Sequence, residues 1–445
     1  MEWKTKKLLR VRLVIFTVLS ATYFFVMLHR FSPAVISLEI MKEFNVSAVA
    51  LGVLSSAYFY SYAVLQIPTG LLADSVGPRK IVSLFTFIAS LGTLIFAVAK
   101  TFEVAVLGRL LIGVGVSVVW VCTLKIISKW FKREEFATLN GILNTVGNVG
   151  AISAAAPLAF LTLYFGWRNS FLLMACITFL LALTVWFFIR DSPTQMGLPP
   201  VVEVEEEETY FFPSSSRIGL IQGLKMVLSS KNLWVVGFTF LVWYGTLVNF
   251  QGLWSIPYLI QVYGCSRAEA SYLITLIPVG VCVGAPLWGY LSDKVFNVRK
   301  PVYVLGYLSY TLAWIVFVFF KNIPKELFYP IFFMFGFFTG AIIVSITMLR
   351  EFFPEHLVGT VMGCINIFPF IGVGFLQPLT GYILDQAGPV KIVEGIKFYP
   401  PQAYQTAFIV CILLLVVATL ATLISQEGEK SPKTIKEKRL LEQNV

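Results

Sequence analysis

The chain has 445 residues, of which 57% are hydrophobic and 13% charged, and its formal net charge is +10. A soluble protein of this length carries roughly 25% charged residues, so composition excludes a soluble globular protein. The apolar residues are spread along the whole chain, which also excludes a soluble domain on a single anchor. The basic residues lie beside apolar segments, as in the positive-inside pattern, and this argues against nucleic acid as a partner.

Twelve apolar segments have the length that a membrane-crossing helix needs, about 20 residues. The sequence therefore predicts an all-α polytopic membrane protein, and we number its segments as spans 1 to 12. The spans cover approximately residues 12–38, 47–73, 80–99, 104–128, 137–163, 170–189, 231–259, 268–291, 301–320, 327–349, 357–384 and 404–425. Lysines before span 1 imitate a signal peptide, but the apolar run is too long, so we expect it to stay uncleaved.

The spans form two groups separated by a polar middle. We predict an N-terminal six-helix bundle over residues 1–190, a linker over 191–230, a second bundle over 231–425 and a tail over 426–445. The linker contains the acidic run Glu205–Glu208, which is typical of a solvated loop. Lys and Arg collect at one face, which predicts a protein of the inner (cytoplasmic) membrane with both termini in the cytoplasm.

An internal repeat supports the two bundles. The loop after span 2 reads Gly70-Leu-Leu-Ala-Asp74-Ser-Val-Gly77-Pro-Arg79-Lys80. The loop after span 8 reads Gly289-Tyr-Leu-Ser-Asp293-Lys-Val-Phe-Asn-Val-Arg299-Lys300, 219 residues later and one residue longer. Spans 5 and 11 match at nearly the same offset, through Asn144 and Asn366. Such a duplication predicts a pseudo-twofold, six-plus-six arrangement with the substrate site near the middle of the membrane.

These motifs resemble those of the major facilitator superfamily, over nearly the whole chain. The loop motif after span 2 is complete, whereas its second copy lacks the inner glycine. Arg109 to Gly115 in span 4 is similar to the arginine–glycine motif of the family. The resemblance implies a transporter rather than an enzyme, closest to bacterial organic-anion and nutrient-uptake branches. Span 5 lacks the full glycine–proline pattern of antiporters, so drug efflux is not favoured.

Four basic residues lie inside the spans, namely His29 and Arg30 in span 1 and Arg109 and Lys125 in span 4. Ionisable groups at membrane depth are costly and usually face a cavity or a partner. The guanidinium of Arg30 suits a carboxylate or phosphate, although snorkelling to the outer surface or pairing with Glu39 would also explain it. Lys125 has the same alternative at the inner surface, whereas Arg109 is expected to pair within the N-terminal half.

Arg30 also lies where span 1 resembles anion:cation symporters and organophosphate antiporters. Organophosphate antiporters carry a second arginine in span 7, and this sequence has none there. A monoanion or a zwitterion is therefore favoured over a dianionic phosphate ester.

Acidic residues are absent from the central part of every predicted span. The interior is thus positive, which favours an anionic group on the substrate and disfavours organic cations. If the coupling ion is H+, then His29, Glu39 or the substrate itself must carry the proton. The six cysteines show no metal-binding spacing, and no nucleotide or catalytic motif occurs, so neither a metal nor a cofactor is predicted.

Polar and aromatic stripes complete the predicted sites. The predicted substrate-binding residues are Tyr23, Arg30, Tyr58, Tyr62, Gln66, Asn144, Tyr244, Asn249, Gln251, Trp254 and Asn366. The predicted gating and coupling residues are His29, Asp74, Arg79, Arg109, Lys125, Asp293 and Arg299. For any single buried amide, a contact between helices explains the residue as well as a ligand does.

The sequence predicts a monomeric secondary transporter that moves a small organic anion or zwitterion by alternating access, through proton-coupled uptake. The cargo would be a monocarboxylate, a sugar acid, an amino acid or a small peptide. An efflux exporter of the same fold and a non-transporting membrane sensor are the alternatives.

Asp74 is predicted to act in gating, because a carboxylate at the cytoplasmic end of span 2 can pair with Arg79 or with a neighbouring helix. Such a pair must break when the open side changes. We expect Asp74→Asn to slow counterflow in proteoliposomes more than it weakens equilibrium binding. Glu103→Gln removes a carboxylate from the outer end of span 4 and is the control. Unchanged turnover in Asp74→Asn would remove the gating role.

Overall fold

A computed structural model describes residues 2–198, 220–320, 323–354, 357–393 and 395–428. Within these ranges a few side chains, that of Asp74 among them, are not described. Much of the predicted linker, including Glu205–Glu208, and most of the predicted tail lie outside the described residues.

The first six spans are built from helices that are often interrupted. Their bounds are Glu2–Phe31 and Pro33–Phe44 for span 1, Ala48–Ser75 for span 2, Pro78–Val98 for span 3, Phe102–Val116 and Val119–Trp130 for span 4, and Arg133–Ser153 and Ala156–Phe188 for spans 5 and 6. A short 3₁₀ turn, Pro193–Met196, follows span 6.

The last six spans show similar interruptions. Span 7 comprises Lys231–Asn249, a π-helical turn at Phe250–Trp254 and Ser255–Tyr263, and span 8 comprises Arg267–Tyr290 with a π-helical turn at Leu291–Val295. Spans 9 to 12 are Lys300–Phe319, then Phe328–Thr339 with Ile342–Phe352, then Val358–Ile365 with Ile367–Ala387, then Pro401–Ile424. The shorter elements are the helix Leu220–Leu228, the 3₁₀ turn Lys325–Leu327, and strands β1 (Lys391–Val393) and β2 (Ile396–Phe398).

In the described residues, eleven helical segments are long and apolar enough to cross a membrane. One of them, Ala156–Phe188, contains Gly166 with φ 77° and ψ 157°, a conformation that no helix contains. The part before Gly166 continues Arg133–Ser153 as span 5, and the part after it is span 6. The predicted all-α, twelve-span membrane fold is therefore confirmed.

Large apolar side chains are exposed on the outer faces of the spans, for example Val64, Leu180 and Leu413. In water such surfaces would be costly, whereas acyl chains solvate them at no penalty. The protein is thus an integral membrane protein whose exposed apolar faces contact lipid.

The chain divides into two compact units. One contains Met1–Ser214 with Ile392–Lys397, and the other contains Ser215–Lys391 with Phe398–Val445. In the first unit span 3 packs on spans 4 and 6, and in the second span 8 packs on span 10 and span 7 on span 11. The domain boundaries proposed from the sequence stay a prediction.

The internal repeat extends to backbone detail. Asn45 and Gly264, 219 residues apart, both end a helix in the left-handed conformation, with φ 49° and φ 64°. Two residues later, Ser47 and Ser266 both begin the next helix, and each hydroxyl accepts a hydrogen bond from the backbone amide three residues on. The same turn and the same N-cap therefore occur in both halves.

The backbone of the second loop motif keeps the turn of the first, although it lacks the inner glycine. Gly77 has φ 97°, a region that residues with a side chain rarely adopt. In the second copy Asn297 takes this place with φ 53°. Asn is the non-glycine residue that tolerates a left-handed backbone best, so the turn is retained.

Five spans are interrupted within their length. Span 1 breaks before Pro33, whose ring removes a helical donor, and span 7 contains a π-helical turn. Span 4 breaks at Ser117–Val118, span 10 at Gly340–Ala341, and span 11 at Asn366. The sequence analysis also missed the hairpin of β1 and β2, which pair with each other.

Close packing of spans 2 and 4 depends on Gly113. A Cβ there would lie 2.8 Å from Tyr58 Cα and still closer to Ser61 Oγ and Tyr58 O. We expect Gly113→Ala to destabilise the protein by about 1–3 kcal/mol through overpacking. The measurement is the thermal unfolding temperature of purified protein in detergent.

Gly141→Ala is the matched control, because nothing lies within 4 Å of a Cβ at that helical position. Alanine also favours a helix over glycine, so this control should unfold at an equal or higher temperature. Equal behaviour of the two variants would contradict the packing argument.

Candidate functional site

Arg30 lies near the end of the helix Glu2–Phe31 and is 4% exposed. Its Nε is 3.5 Å from Tyr58 Oη, its Nη1 is 3.6 Å from Met27 Sδ, and its guanidinium carbon is 5.1 Å from the centre of the Tyr62 ring. Aromatic faces stabilise a guanidinium without neutralising it. The structure thus brings Arg30, Tyr58 and Tyr62 together, and substrate binding by these residues stays a prediction.

A second guanidinium approaches the same tyrosine from span 4. Arg109 is fully buried, and its guanidinium carbon is 5.0 Å from the centre of the Tyr58 ring. Its Nη1 donates a 3.0 Å hydrogen bond to the carbonyl of His29, whereas Nε and Nη2 have no hydrogen-bond partner in the described part of the chain. A buried cation with unused donors makes this region strongly attractive to an anion.

Tyr58 therefore stands between two arginines. It is fully buried, its hydroxyl lies 3.5 Å from the carbonyl of Val26, and its ring stacks on Tyr62 at 6.0 Å. We call Arg30, Tyr58, Tyr62 and Arg109 the arginine–tyrosine cluster.

The His29 side chain contacts span 6. It is fully buried, and its Nε2 lies 3.1 Å from Thr178 Oγ1 in span 6. Span 1 therefore presents His29 and Arg30 to different neighbours, as adjacent residues of a helix do. The coupling role of His29 stays a prediction.

Two further predicted residues lie near the cluster. Gln66 is 7% exposed, and its Nε2 is 3.5 Å from the carbonyls of Tyr62 and of Ser117, at the break in span 4. Tyr23 is 5% exposed, and its ring centre lies 4.8 Å from that of Trp120. Both side chains have partners within the first unit.

Asn144 is different, because it is exposed. Its amide donates to the backbone and side-chain oxygens of Asn140, at 3.2 and 3.3 Å, and Asn148 donates to the carbonyl of Asn144 at 3.1 Å. The three residues share one face of span 5, four residues apart. Asn366, its counterpart in span 11, is half-buried at a helix break.

In the second unit, two predicted substrate-binding residues, Asn249 and Trp254, form hydrogen bonds to a neighbouring span. Asn249 is fully buried and exchanges hydrogen bonds with Thr380 at 3.0 and 3.3 Å. Trp254 is fully buried and donates to the carbonyl of Gln377 at 3.2 Å, while Gln377 donates to the carbonyl of Val248 at 3.4 Å. These contacts tie span 7 to span 11, which favours the helix-contact interpretation for Asn249 and Trp254.

Tyr244 and Gln251 complete the predicted set in span 7. Tyr244 is half-buried, with its ring edge-on to Phe240 at 6.2 Å and to Phe370 at 6.1 Å. Gln251 is 5% exposed inside the π-helical turn. Substrate binding by the span 7 residues stays a prediction.

The first loop motif is anchored at the end of span 6. The guanidinium of Arg79 donates to the carbonyl of Trp186 at 3.1 and 2.6 Å and lies 5.0 Å from that ring. The Arg79 amide donates to Asp191 Oδ1 at 2.7 Å, so this carboxylate caps the start of span 3. The partner predicted for Arg79 was Asp74, whose side chain lies outside the description.

The second loop motif forms a charged network. Arg299 is paired with Asp293, and it binds both oxygens of Glu351 at 3.2 and 2.9 Å. Burial lowers the pKa of the Arg299 guanidinium, but the hydrogen bonds and charges of Glu351 and Asp293 outweigh burial and hold this pKa above its usual value. The amide of Arg299 also donates to Glu427 Oε1 at 2.8 Å.

The two units therefore share a capping device that the sequence analysis missed. Asp191 follows span 6, and its carboxylate accepts from an amide at the start of span 3. Glu427 follows span 12, and its carboxylate accepts from two amides at the start of span 9. The sequence did contain a signal for this contact, because Asp191 and Glu427 are each the first acidic residue after the last span of their half. Negative charge at a helix N-terminus is stabilising.

Lys125 of span 4, a predicted gating residue, contacts the C-terminal end of span 2. Its Nζ donates to the carbonyl of Ala73 at 2.9 Å, two residues before that helix ends. A cation at a helix C-terminus satisfies carbonyls that have no helical donor. This contact gives Lys125 a structural role within the first unit.

Comparison with known proteins identifies the family. The model of the Major Facilitator Superfamily matches residues 15–266 and 247–443. The matches cover nearly the whole chain, so the chain belongs to this superfamily.

Three curated relatives are similar at low identity. The "Probable sulfoacetate transporter SauU" of Cupriavidus necator is 24% identical over 66% of this chain and 67% of that protein. The "Membrane sensor protein UhpC" of Escherichia coli is 23% identical over 78% of this chain and 80% of that protein. The "Probable galactarate/D-glucarate transporter GarP" of Escherichia coli is 24% identical over 84% of this chain and 88% of that protein.

Solved structures show the same fold. A bacterial homolog of the human lysosomal transporter Spinster, inward-facing and unoccupied, aligns with a TM-score of 0.71 and 18% identity over 93% of this chain and 97% of that chain. The nucleoside transporter NupG aligns with a TM-score of 0.69 and 13% identity over 92% and 98% of the two chains. Family and fold together make this chain a membrane transport protein and not an enzyme.

The network around Arg299 allows a test of its geometry. Lysine keeps the charge but has no planar fork, so Arg299→Lys cannot reproduce the paired bonds to Glu351 and the contact with Asp293. We expect a loss of about 1–3 kcal/mol, seen as a lower unfolding temperature in detergent.

Lys294→Arg makes the opposite exchange at an exposed position of the same loop and should leave the unfolding temperature unchanged. A destabilisation that is equally large in both variants would argue against the network as its cause.

Proposed function

We propose that this protein carries a small organic anion across the membrane by alternating access and that Arg30 binds the anionic group. The observation behind the proposal is the arginine–tyrosine cluster, in which the guanidinium of Arg109 lies over the Tyr58 ring and that of Arg30 contacts the Tyr58 hydroxyl, inside one unit. Such an arrangement is costly in a membrane protein, so its presence favours a function.

The charge of the cluster favours an anion over a cation. Among the described residues no carboxylate forms an ion pair with Arg109, and two of its nitrogens are without a hydrogen-bond partner. In a medium of low dielectric constant this positive potential acts over several ångströms. A carboxylate at this cluster would lower the cost of burying Arg109.

The neighbouring aromatic and hydroxyl groups favour a polar organic anion over a simple inorganic one. Tyr58 and Tyr62 offer ring faces and hydroxyls next to Arg30, which suit a cargo with carbon–hydrogen and hydroxyl groups. Sugar monocarboxylates have this character. Two of the relatives described above are named for organic anions, sulfoacetate and galactarate or D-glucarate.

The remaining parts of the proposal come from the sequence. We propose proton-coupled uptake by a monomer with both termini in the cytoplasm, and substrate binding and gating by the residues assigned above. The ion-paired loop after span 8, with Arg299 at its centre, supports a gating role, because its charged contacts can form in one state and break in another.

One alternative is a membrane sensor, because the similar protein UhpC carries that name. A sensor would bind the anion without moving it. An exporter would move it with the opposite coupling polarity. Transport measurements separate these three functions.

The test is counterflow in proteoliposomes loaded with unlabelled anion, since counterflow requires no ion gradient. The panel is D-gluconate, D-glucarate, sulfoacetate and glucose 6-phosphate, with choline as an organic cation. We expect counterflow of at least one carboxylate and none of choline. In Arg30→Ala we expect its loss by a factor of about 100 or more, because a charge-assisted contact is removed in a site of low dielectric constant.

Arg350→Ala removes an arginine from an exposed position at the end of span 10 and is the control, expected to transport like the unmodified protein. Normal transport by Arg30→Ala would overturn the assignment of the anion site. Saturable binding without counterflow would support a sensor, and preference for glucose 6-phosphate would replace the proposed cargo by a phosphate ester.

A further inference from the structure

Span 1 contains a carbonyl group that its own helix cannot satisfy. In an α-helix the amide of residue i+4 donates to the carbonyl of residue i. The residue four positions after His29 is Pro33, which has no amide hydrogen. The carbonyl of His29 therefore loses its helical donor, directly beside Arg30 and at membrane depth.

Two side chains replace the missing donor. Arg109 from span 4 donates to this carbonyl through Nη1 at 3.0 Å, and the hydroxyl of Ser32 donates to it at 3.1 Å. His29, Ser32 and Arg109 are all fully buried, so water is not a competing donor. An unsatisfied carbonyl in this position would be costly.

The Arg109 bond also fixes the direction of Arg30. The carbonyl that accepts it belongs to the residue immediately before Arg30, at the last turn before the helix breaks. The ring of Tyr58 lies against Arg109 and its hydroxyl contacts Arg30. Arg109 thus holds Arg30 through the backbone of span 1 on one side and through Tyr58 on the other.

We propose that Arg109 is a positioning residue that bridges the proline break of span 1 and thereby orients Arg30 toward the anion. This inference rests on the proposed function for the role of Arg30, but the bridge itself does not. Arg109 acts through the His29 carbonyl and Tyr58, and it does not contact the substrate.

The proline provides a specific test, because an amide at position 33 can take over the bond to the His29 carbonyl. The variants are Arg109→Ala, Pro33→Ala and the double variant, all as purified full-length protein. The first readout is the rate at which phenylglyoxal modifies Arg30, followed by mass spectrometry of the peptide that contains it. The second is D-gluconate counterflow in proteoliposomes.

We expect Arg109→Ala to speed modification of Arg30 by about tenfold and to raise the half-saturation concentration for D-gluconate by a similar factor, the value of one charge-assisted hydrogen bond. In the double variant both effects should fall to within about threefold of Pro33→Ala alone, since the alanine in place of Pro33 supplies an amide donor. A residue that binds the substrate directly would show no such rescue.

Arg12→Ala is the matched control, because Arg12 also links span 1 to another helix, through Glu135, but far from the break. Pro33→Ala should not rescue any defect of Arg12→Ala. If Arg109→Ala does not fold, Arg109→Met gives the same comparison, because methionine fills much of the same space without a donor, and Pro33→Ala should rescue it as well.

The outcomes separate this inference from the proposed function. Absence of D-gluconate counterflow in every protein, the unmodified one included, with the modification rates still rescued by Pro33→Ala, would overturn the gluconate cargo and retain the bridge. Additive effects of the two substitutions on the modification rate would overturn the bridge. If Arg109→Ala loses D-gluconate counterflow while the modification rate of Arg30 is unchanged, the positioning role is overturned. That result would support direct contact of Arg109 with the substrate.

Discussion

A carbonyl oxygen inside a membrane must find a donor within the protein, and this constraint organises the buried polar residues of the chain. At several places where a span departs from a regular helix, a side chain from a neighbouring span binds the backbone. Arg109 donates to the break in span 1, Gln66 to the break in span 4, and Gln377 to the carbonyl of Val248, beside the π-helical turn of span 7. These interruptions are stable because the donors exist.

The same constraint determines how much could be predicted from the sequence. The spans, the family and the duplicated loops follow from apolar length and short motifs, which are local properties. The hydrogen-bond partner of a buried polar side chain, in contrast, can lie far away in the sequence. Asn249 bonds to Thr380 and Trp254 to the carbonyl of Gln377, 131 and 123 residues away, so no pattern in span 7 separates them from ligand-binding residues.

The cluster around Arg30 was predictable because charge in a span is rare and aromatic residues recurred at helical spacing along span 2. The role of Pro33 was also within reach of the sequence, since the carbonyl that it leaves free is always four residues earlier. What could not be found was the donor. Arg109 lies 80 residues from His29, and only the packing of spans 1, 2 and 4 brings them together.

The carboxylates of Asp191 and Glu427 show that each unit continues past its last span. After span 6 the chain stays docked, with the Trp130 side chain bonded to the carbonyl of Arg190 and Gln195 to the amide of Asp191. After span 12, Gln426 and Asn232 exchange two hydrogen bonds. To express the halves as separate polypeptides, the gene should therefore be divided after Leu198 and before Leu220. A fluorescent tag at the C-terminus should follow Gly428. Each polypeptide then keeps the carboxylate that caps the third span of its own unit.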